Sequence, residues 1–340
     1  LGANKLFVHV LLLNRADYRT HQRHPASACI AARPFAAQLV APQKTDCMLD
    51  SSPHESGHDM KEFNNRVAVV TGGASGLGRA MAWRFAREGM KIVLADIEQT
   101  TLDTTLQEFQ EAGHEAIAVR CDVSRAADVE SLAEQTLAAF GAAHVVCNNA
   151  GVAPGGLVWE HTVKDWEWAM GPNVWGVIHG VRVFTPILLK QNTEAHIVNT
   201  ASVAGLLSLP GMGLYCVTKH AVVTLSECLH HDLVENSDKV RCSVLCPAYV
   251  PTGIADSERN RPAHLRDDRP KSEEDVRREE GLRQAVESGR ISAEQVADAV
   301  LDAIRDERFY ILTHQRIKPA IETRMQDILL ERLPTNTLKR

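Results

Sequence analysis

Tyr215 and Lys219 stand four residues apart in Leu214-Tyr-Cys-Val-Thr-Lys219, and Ser202 lies thirteen residues before the tyrosine. On a helix, positions i and i+4 share one face. An ammonium held beneath a phenol favours the phenolate and is expected to lower its pKa from about 10 toward working pH. A hydroxyl beside that phenol can hydrogen-bond a carbonyl or alcohol oxygen. The trio therefore suits a reaction in which a proton and a hydride leave or join one substrate. Taken singly, each residue has a plain structural account: a turn serine, a tyrosine on an amphipathic helix, a solvated lysine. The reading depends on the elements that would bring them together.

Those elements are legible from Val67 onward. Continuous apolar runs fall at Val67–Val70, Lys91–Ala95, Ala116–Arg120, His144–Cys147, His196–Asn199, Arg241–Leu245 and Phe309–Leu312. Between them lie amphipathic segments at Arg79–Glu88, Thr101–Ala112, Ala126–Phe140, Val174–Lys190, Tyr215–Val234 and Ala293–Arg305. Strands that are apolar throughout, rather than alternating, are buried on both faces. Their alternation with helices predicts an α/β fold: one doubly wound, mostly parallel, seven-stranded sheet with helices on both sides. Ser202 follows the run ending at Thr200, which places it at a strand's carboxyl end, where open α/β sheets bind ligands. Residues 253–290 break the pattern with dense Arg, Asp and Glu and read as a solvated loop or lid over the substrate. Residues 316–340 read as a helical tail.

A second chemical feature precedes the trio. Thr71-Gly-Gly-Ala-Ser-Gly-Leu-Gly78 follows the first strand and opens a helix, with glycines at 72, 76 and 78. Such a turn lets backbone N–H groups approach a pyrophosphate at a helix N-terminus. Asp96 ends the second strand, eighteen residues past Gly78. A carboxylate there can hold the 2′-hydroxyl of an adenosine ribose and repels a 2′-phosphate. Ile97 and Glu98 follow, with no Arg or Lys. NAD is the expected cofactor, with NADP disfavoured.

With these residues in hand, the chain resembles the short-chain dehydrogenase/reductase family in its single-domain form. The likeness runs from Phe63 to Leu312 and rests on ordered motifs: Thr71–Gly78, Asp122-Val123, Asn148-Asn-Ala-Gly151, Asn173, Ser202, Tyr215-x-x-x-Lys219 and Cys246-Pro-Ala-Tyr-Val-Pro-Thr252. The resemblance implies a Rossmann domain over residues 60–315. It implies that Gly72, Ser75, Gly76, Leu77 and Gly78 cradle the pyrophosphate. Asp122 would hydrogen-bond the adenine and Val123 pack on it. Asn149, Ala150 and Gly151 would lie beside the adenosine ribose and the sheet. Ser202 would polarise the substrate oxygen and Tyr215 act as general acid/base. Lys219 would lower the tyrosine pKa and bind the nicotinamide ribose. Asn173 would hold a water linking Lys219 to solvent. Pro247, Val250 and Thr252 would cover the nicotinamide side. The resemblance further implies a homodimer or homotetramer paired through the helices at Val174–Lys190 and Tyr215–Val234. The chain departs from the family pattern twice. Ala248 replaces the usual glycine after Pro247, and Pro172 precedes Asn173, where it would disturb the local helix.

Composition bounds the rest. A formal net charge of −6 argues against a broad nucleic-acid or anionic-membrane surface. No run of eighteen apolar residues is present, so no membrane-spanning helix is expected. Eight cysteines occur without Cys-x-x-Cys pairs and read as reduced thiols of a cytoplasmic protein. His21/His24, His54/His58 and His230/His231 lack further ligands at metal-binding spacing, so no metal is expected. Residues 1–59 lack periodicity and read as an extension, with the functional protein starting near Met60. Leu206, Leu207, Leu209, Met212 and Leu214 are expected to supply apolar pocket walls, and Trp159, Trp166, Trp168 and Trp175 core, interface or substrate-mouth packing. The expected activity is NAD-dependent interconversion of a secondary alcohol and a ketone. The alternative is a catalytically silent dinucleotide-binding scaffold, against which the intact Asn173, Ser202, Tyr215 and Lys219 set argues.

Overall fold

The structure, a computed structural model, describes residues 60–266 and 272–337. The expected extension at residues 1–59 lies outside the described residues. Seven strands form one sheet: β1 Val67–Thr71, β2 Lys91–Asp96, β3 Ala116–Arg120, β4 Val145–Asn148, β5 Ala195–Thr200, β6 Val240–Leu245 and β7 Tyr310–Ile311. Their spatial order is β3-β2-β1-β4-β5-β6-β7, and every pairing is parallel. The expected "mostly parallel" sheet is thus parallel throughout. The order reverses between β1 and β4, which opens a crevice at the carboxyl edge.

The helices are α1 Gly76–Arg87, α2 Gln99–Glu111, α3 Ala126–Phe140, α4 Val163–Met170, α5 Gly176–Gln191, α6 Gly213–Asn236, α7 Glu273–Glu287, α8 Ala293–Arg305 and α9 Lys318–Leu329. The pleat of β1 divides the core between two layers. Ala68 and Val70 face a cluster built from Met81 and Phe85 of α1, Leu102 and Phe109 of α2, and Val300, Leu301 and Ile304 of α8. Val67 and Val69 face the other, which holds Val129 and Leu132 of α3, Phe184 and Leu188 of α5, and Leu229 and Leu233 of α6. This is why the strands read as unbroken apolar runs: both faces are covered.

Two segments differ from their sequence-based expectation. The charged stretch 253–290 is not a solvated loop throughout. It holds 3₁₀ turns at Gly253–Asn260 and Ala263–Leu265, and then α7. That helix is capped by Ser272, whose Oγ accepts from the Asp275 N–H, while the Asp275 carboxylate accepts from the Ser272 N–H. The pattern was hidden because α7 presents charge on most of its surface and buries only Val286 fully. The second is the run toward Asn173. The amphipathic segment begins not as α-helix but as a π-turn, Gly171–Trp175, which joins α4 to α5 and whose Gly176 N–H bonds the Gly171 carbonyl. Pro172 lies inside this turn, where it brings no N–H. It does redirect the local helix, as its sequence position suggested, but Asn173 is left fully buried and firmly bonded.

Candidate active site

The carboxyl ends of β1, β2, β3, β4, β5 and β6 open into one cavity of about 510 Å³. Sixteen of the residues expected in the site line it: Gly72, Ser75, Gly76, Leu77, Asp96, Asp122, Val123, Asn149, Ala150, Gly151, Ser202, Tyr215, Lys219, Pro247, Val250 and Thr252. Gly78 and Asn173 do not line it.

The glycine turn is dictated by close approach. Gly72 and Gly76 have φ of +64° and +51°. A Cβ on Gly78 would lie 2.0 Å from the Gly72 carbonyl oxygen, so no other residue fits there. Helix α1 begins at Gly76, and its N-cap, Ser75, makes no side-chain capping bond. Its first N–H groups and positive dipole end are thus aimed at the cavity without an internal acceptor, a ready anion site. At the end of β2, Asp96 accepts from the N–H groups of Ala74 and Glu98, each at 3.1 Å. Burial pushes its carboxyl pKa up, partly offset by those bonds. Its carboxylate keeps spare acceptor capacity at the cavity edge, as a ribose hydroxyl requires. The donor set and the cradle therefore fit a dinucleotide.

Behind the cradle, Thr71 is a junction that sequence reasoning missed. Its Oγ1 accepts from the N–H groups of Asn149 and Ala150 at 2.9 and 3.1 Å and donates to the Cys147 carbonyl at 3.2 Å. Asn149 Nδ2 returns a bond to the Thr71 carbonyl at 3.0 Å. The turns after β1 and β4 are thereby locked together. Thr71 adjoins the glycine string, and a hydroxyl at a buried strand end was the available signal.

At the other end of the cavity, α6 presents Tyr215 and Lys219 on one face, as their spacing requires. Lys219 Nζ is buried, donates to the Thr200 carbonyl at 3.0 Å and lies 5.6 Å from the centre of the Tyr215 ring. Burial lowers the Lys219 pKa to about 8. The expected lowering of the tyrosine pKa is not what this state shows. Burial pushes Tyr215 up to about 12, while the adjacent Ser202 hydroxyl pulls the other way. The reason is geometric: the ammonium is turned to Thr200, and desolvation of the phenolate dominates. Ser202 Oγ donates to the Pro247 carbonyl at 3.3 Å and accepts from the Ala204 N–H at 3.2 Å.

Asn173 braces this end. Its Oδ1 accepts from the Val152 N–H at 2.8 Å, and its Nδ2 donates to the Val152 carbonyl at 2.9 Å and to Thr218 Oγ1 at 3.0 Å. Both amide hydrogens are therefore spent, and one Oδ1 lone pair remains for a water. A Cβ on Gly151 would lie 2.8 Å from that oxygen and 3.5 Å from Lys219 Nζ, so the glycine keeps the gap between them clear. Ala248 is absent from the residues with positive φ, so the departure from glycine there is conformationally free.

Of the apolar residues expected as walls, Leu207, Leu209 and Met212 line the cavity, whereas Leu206 and Leu214 pack into the interior. Trp168 and Tyr249, the latter within the Cys246–Thr252 motif, line it as well, joined by residues the sequence did not single out: Ile254, Leu265, Leu282, Val286 and Ile317. Trp159 and Trp175 are exposed at 80% and 50%. His230 and His231 contact each other edge-on, and no group of three or more potential ligands for a metal occurs among the described residues.

Comparison with known proteins accords with this geometry. Residues 66–263 match the model for short chain dehydrogenases. The chain belongs to the short-chain dehydrogenase/reductase family. A family member from Burkholderia phymatum, whose crystal structure is a complex with NAD, is 52% identical and superposes with a TM-score of 0.81, covering 83% of this chain and all of that one. A CLA biosynthesis dehydrogenase/reductase from Lactiplantibacillus plantarum is 35% identical over 278 residues, 81% of this chain and 97% of its own. A 1-deoxy-11-beta-hydroxypentalenate dehydrogenase from Streptomyces avermitilis is 32% identical over 267 residues, 77% of this chain and 89% of its own. Membership makes the chain an oxidoreductase with the Rossmann-like architecture described above.

Proposed function

We propose that this protein is an NAD-dependent dehydrogenase/reductase that interconverts an apolar secondary alcohol and the corresponding ketone. One observation carries the reading: Ser202, Tyr215 and Lys219 meet at one end of a single cavity whose other end offers Asp96 and the uncapped start of α1. Nicotinamide, when bound, supplies the hydride donor or acceptor. The chain's own groups do the rest. Ser202 Oγ hydrogen-bonds the substrate oxygen and orients it. Tyr215 Oη takes the hydroxyl proton in the oxidising direction and returns it in the reducing one. Lys219, charged below pH 8 or so, provides the positive charge needed to bring the phenol down from about 12. The remaining Oδ1 lone pair of Asn173, facing the gap above Gly151, is where a water would pass the proton toward Lys219.

The cavity wall supports an apolar substrate. Among its cationic lining residues, Lys219 is bonded to Thr200 and Arg259 is paired with Glu98 at 2.7 Å. Neither is available as a counter-ion for a substrate carboxylate or phosphate. Leu207, Leu209, Met212, Leu265 and Trp168 instead present apolar surface. The reading includes a cytoplasmic protein, supported by free buried thiols at Cys121, Cys147, Cys216, Cys242 and Cys246. It also includes pairing into a homodimer or homotetramer through α5 and α6, next to which Trp175 and on which Val217 are half exposed. The decisive experiment is Tyr215→Phe. It should abolish NAD-linked alcohol oxidation across a panel of secondary alcohols while NADH still binds. Undiminished turnover would remove Tyr215 from its role.

A further inference from the structure

Outside the reacting groups, the most unusual side chain in the cavity region is that of Arg261. It is buried, 7% exposed, in the segment between the two 3₁₀ turns. Its Nη2 stands 2.7 Å from Asp165 Oδ1 of α4, a close ion pair whose N–H direction lies off the oxygen. Its guanidinium carbon sits 4.9 Å from the centre of the Trp168 ring, and its Nε donates to the Leu265 carbonyl at 2.8 Å. Nη1 reaches Glu258 at 3.3 Å. Arg261 does not face the cavity, but Trp168, Pro262 and Leu265 do. Asp165 is committed twice: one oxygen accepts from Thr162 N–H and Oγ1 to cap α4, and the other faces Arg261.

A buried ion pair is a weak device for stability, since well-packed apolar residues of similar size often do as well. What a planar guanidinium provides is direction: a fork toward a carboxylate and a flat face against an aromatic ring. Here Nη2 meets Asp165 and Nη1 meets Glu258 while the flat face lies against Trp168, and Nε fixes the lid backbone at Leu265. Trp168 is held with Arg261 on one side and the cavity on the other. We propose that Arg261 is a positioning residue that locks Trp168 of α4 to Pro262 and Leu265 of the lid, forming a rigid apolar wall that selects bulky secondary alcohols and ketones over small ones. The proposal rests on the alcohol/ketone reading of the cavity.

The test compares wild type with Arg261→Lys, which keeps the charge but loses the fork and the stacking face, and with Arg261→Met, which keeps bulk alone. Initial rates are measured with a size series of secondary alcohols from isopropanol to menthol. In both variants the ratio of kcat/KM for menthol over isopropanol should fall about tenfold, through KM rather than kcat, the span that apolar pocket contacts command. Asp165→Asn should act in the same direction, and the double variant should lose less than the product of the two single losses. Equal losses for both alcohols, with the ratio unchanged, would mean that Arg261 merely holds the fold together and would overturn the proposal. A second readout needs no turnover. Prodan, a fluorescent naphthyl ketone, should bind wild type with blue-shifted emission and bind Arg261→Lys about tenfold more weakly, about 1.4 kcal/mol. Equal prodan affinity, or none in wild type, overturns the proposal. Prodan binding that weakens in a protein that oxidises no alcohol would leave the wall intact and sink the oxidoreductase reading instead.

Discussion

At the scale of single residues, the order of the chemical groups was readable and their energetics were not. Gly72, Asp96, Ser202, Tyr215 and Lys219 could be placed because each sits at a strand end or a helix spacing that a linear pattern reveals. The sign of the Tyr215 shift could not, because it depends on burial and on where Lys219 Nζ points, to the Thr200 carbonyl. Thr71 was missed for the same reason, since its three bonds join segments more than seventy residues apart. Asp96 makes the clearest residue-level prediction. In the proposed reading its carboxylate faces the adenosine ribose; burial already raises its pKa, and further negative charge beside it is unfavourable. Asp96→Ala should raise the NADPH-to-NADH affinity ratio at least tenfold, roughly 1.4 kcal/mol. Fluorescence titration of the two reduced cofactors measures it, and an unchanged ratio would remove Asp96 from the ribose site. Gly151→Ala belongs beside it. The new Cβ would press on Asn173 Oδ1 at 2.8 Å, and kcat should fall about tenfold or more if that oxygen passes a proton. Single-turnover rates check this.

At the scale of elements, strands and long helices announced themselves through buried apolar runs, whereas α4, the π-turn and α7 did not. Helix α4 has eight residues, too few for periodicity to declare, and α7 carries its charge on nearly every turn. What fixes both is local: reciprocal capping boxes at Thr162/Asp165 and Ser272/Asp275. The first has consequences beyond its own helix, because Asp165 also holds Arg261 and α4 carries Trp168 into the cavity wall. Thr162→Ala should therefore cost about 1 kcal/mol of stability. It should also loosen the grip on bulky substrates more than on small ones. Chemical denaturation gives the first quantity and the menthol-to-isopropanol ratio the second. The same substitution at the Ser272 cap should show the stability cost alone, because the α7 side chains at the cavity, Leu282 and Val286, lie in the second half of the helix, away from that cap.

At the scale of the whole molecule, the two-sided core that makes the sheet legible also traps titratable groups inside it. His196, 2% exposed on β5, shares a 2.7 Å hydrogen bond with Ser243 Oγ, which itself donates to the Arg308 carbonyl. Burial lowers the His196 pKa to about 3. His144 is lowered to about 4, first by burial, and its Nδ1 must stay unprotonated to accept from the Val67 N–H at 3.1 Å. An unfolded histidine titrates near 6.5. Below that value the unfolded chain binds protons that the folded one refuses, so this contribution to stability is complete above pH 6.5 and is lost as pH falls toward 4 and 3. Between pH 6.5 and 5 the loss from His196 alone is on the order of 2 kcal/mol. The alkaline side behaves differently, because two buried groups oppose each other. Lys219, at about 8 when folded, has its desolvation penalty relieved as pH climbs through 8 to 10.5. Tyr215, at about 12 when folded, keeps its stabilising contribution up to pH 10 and loses it by 12. Unfolding free energies measured from pH 5 to 8 should therefore fall on the acid side and stay level toward pH 8, above which the buried thiols Cys121, Cys242 and Cys246, pushed up to about 12, add a loss of their own. His196→Gln, which keeps a donor for Ser243 without a titrating ring, should flatten the acid limb. An acid limb as steep in that variant as in wild type would assign the loss to His144 and to the other histidines that burial holds low, such as His161 and His179.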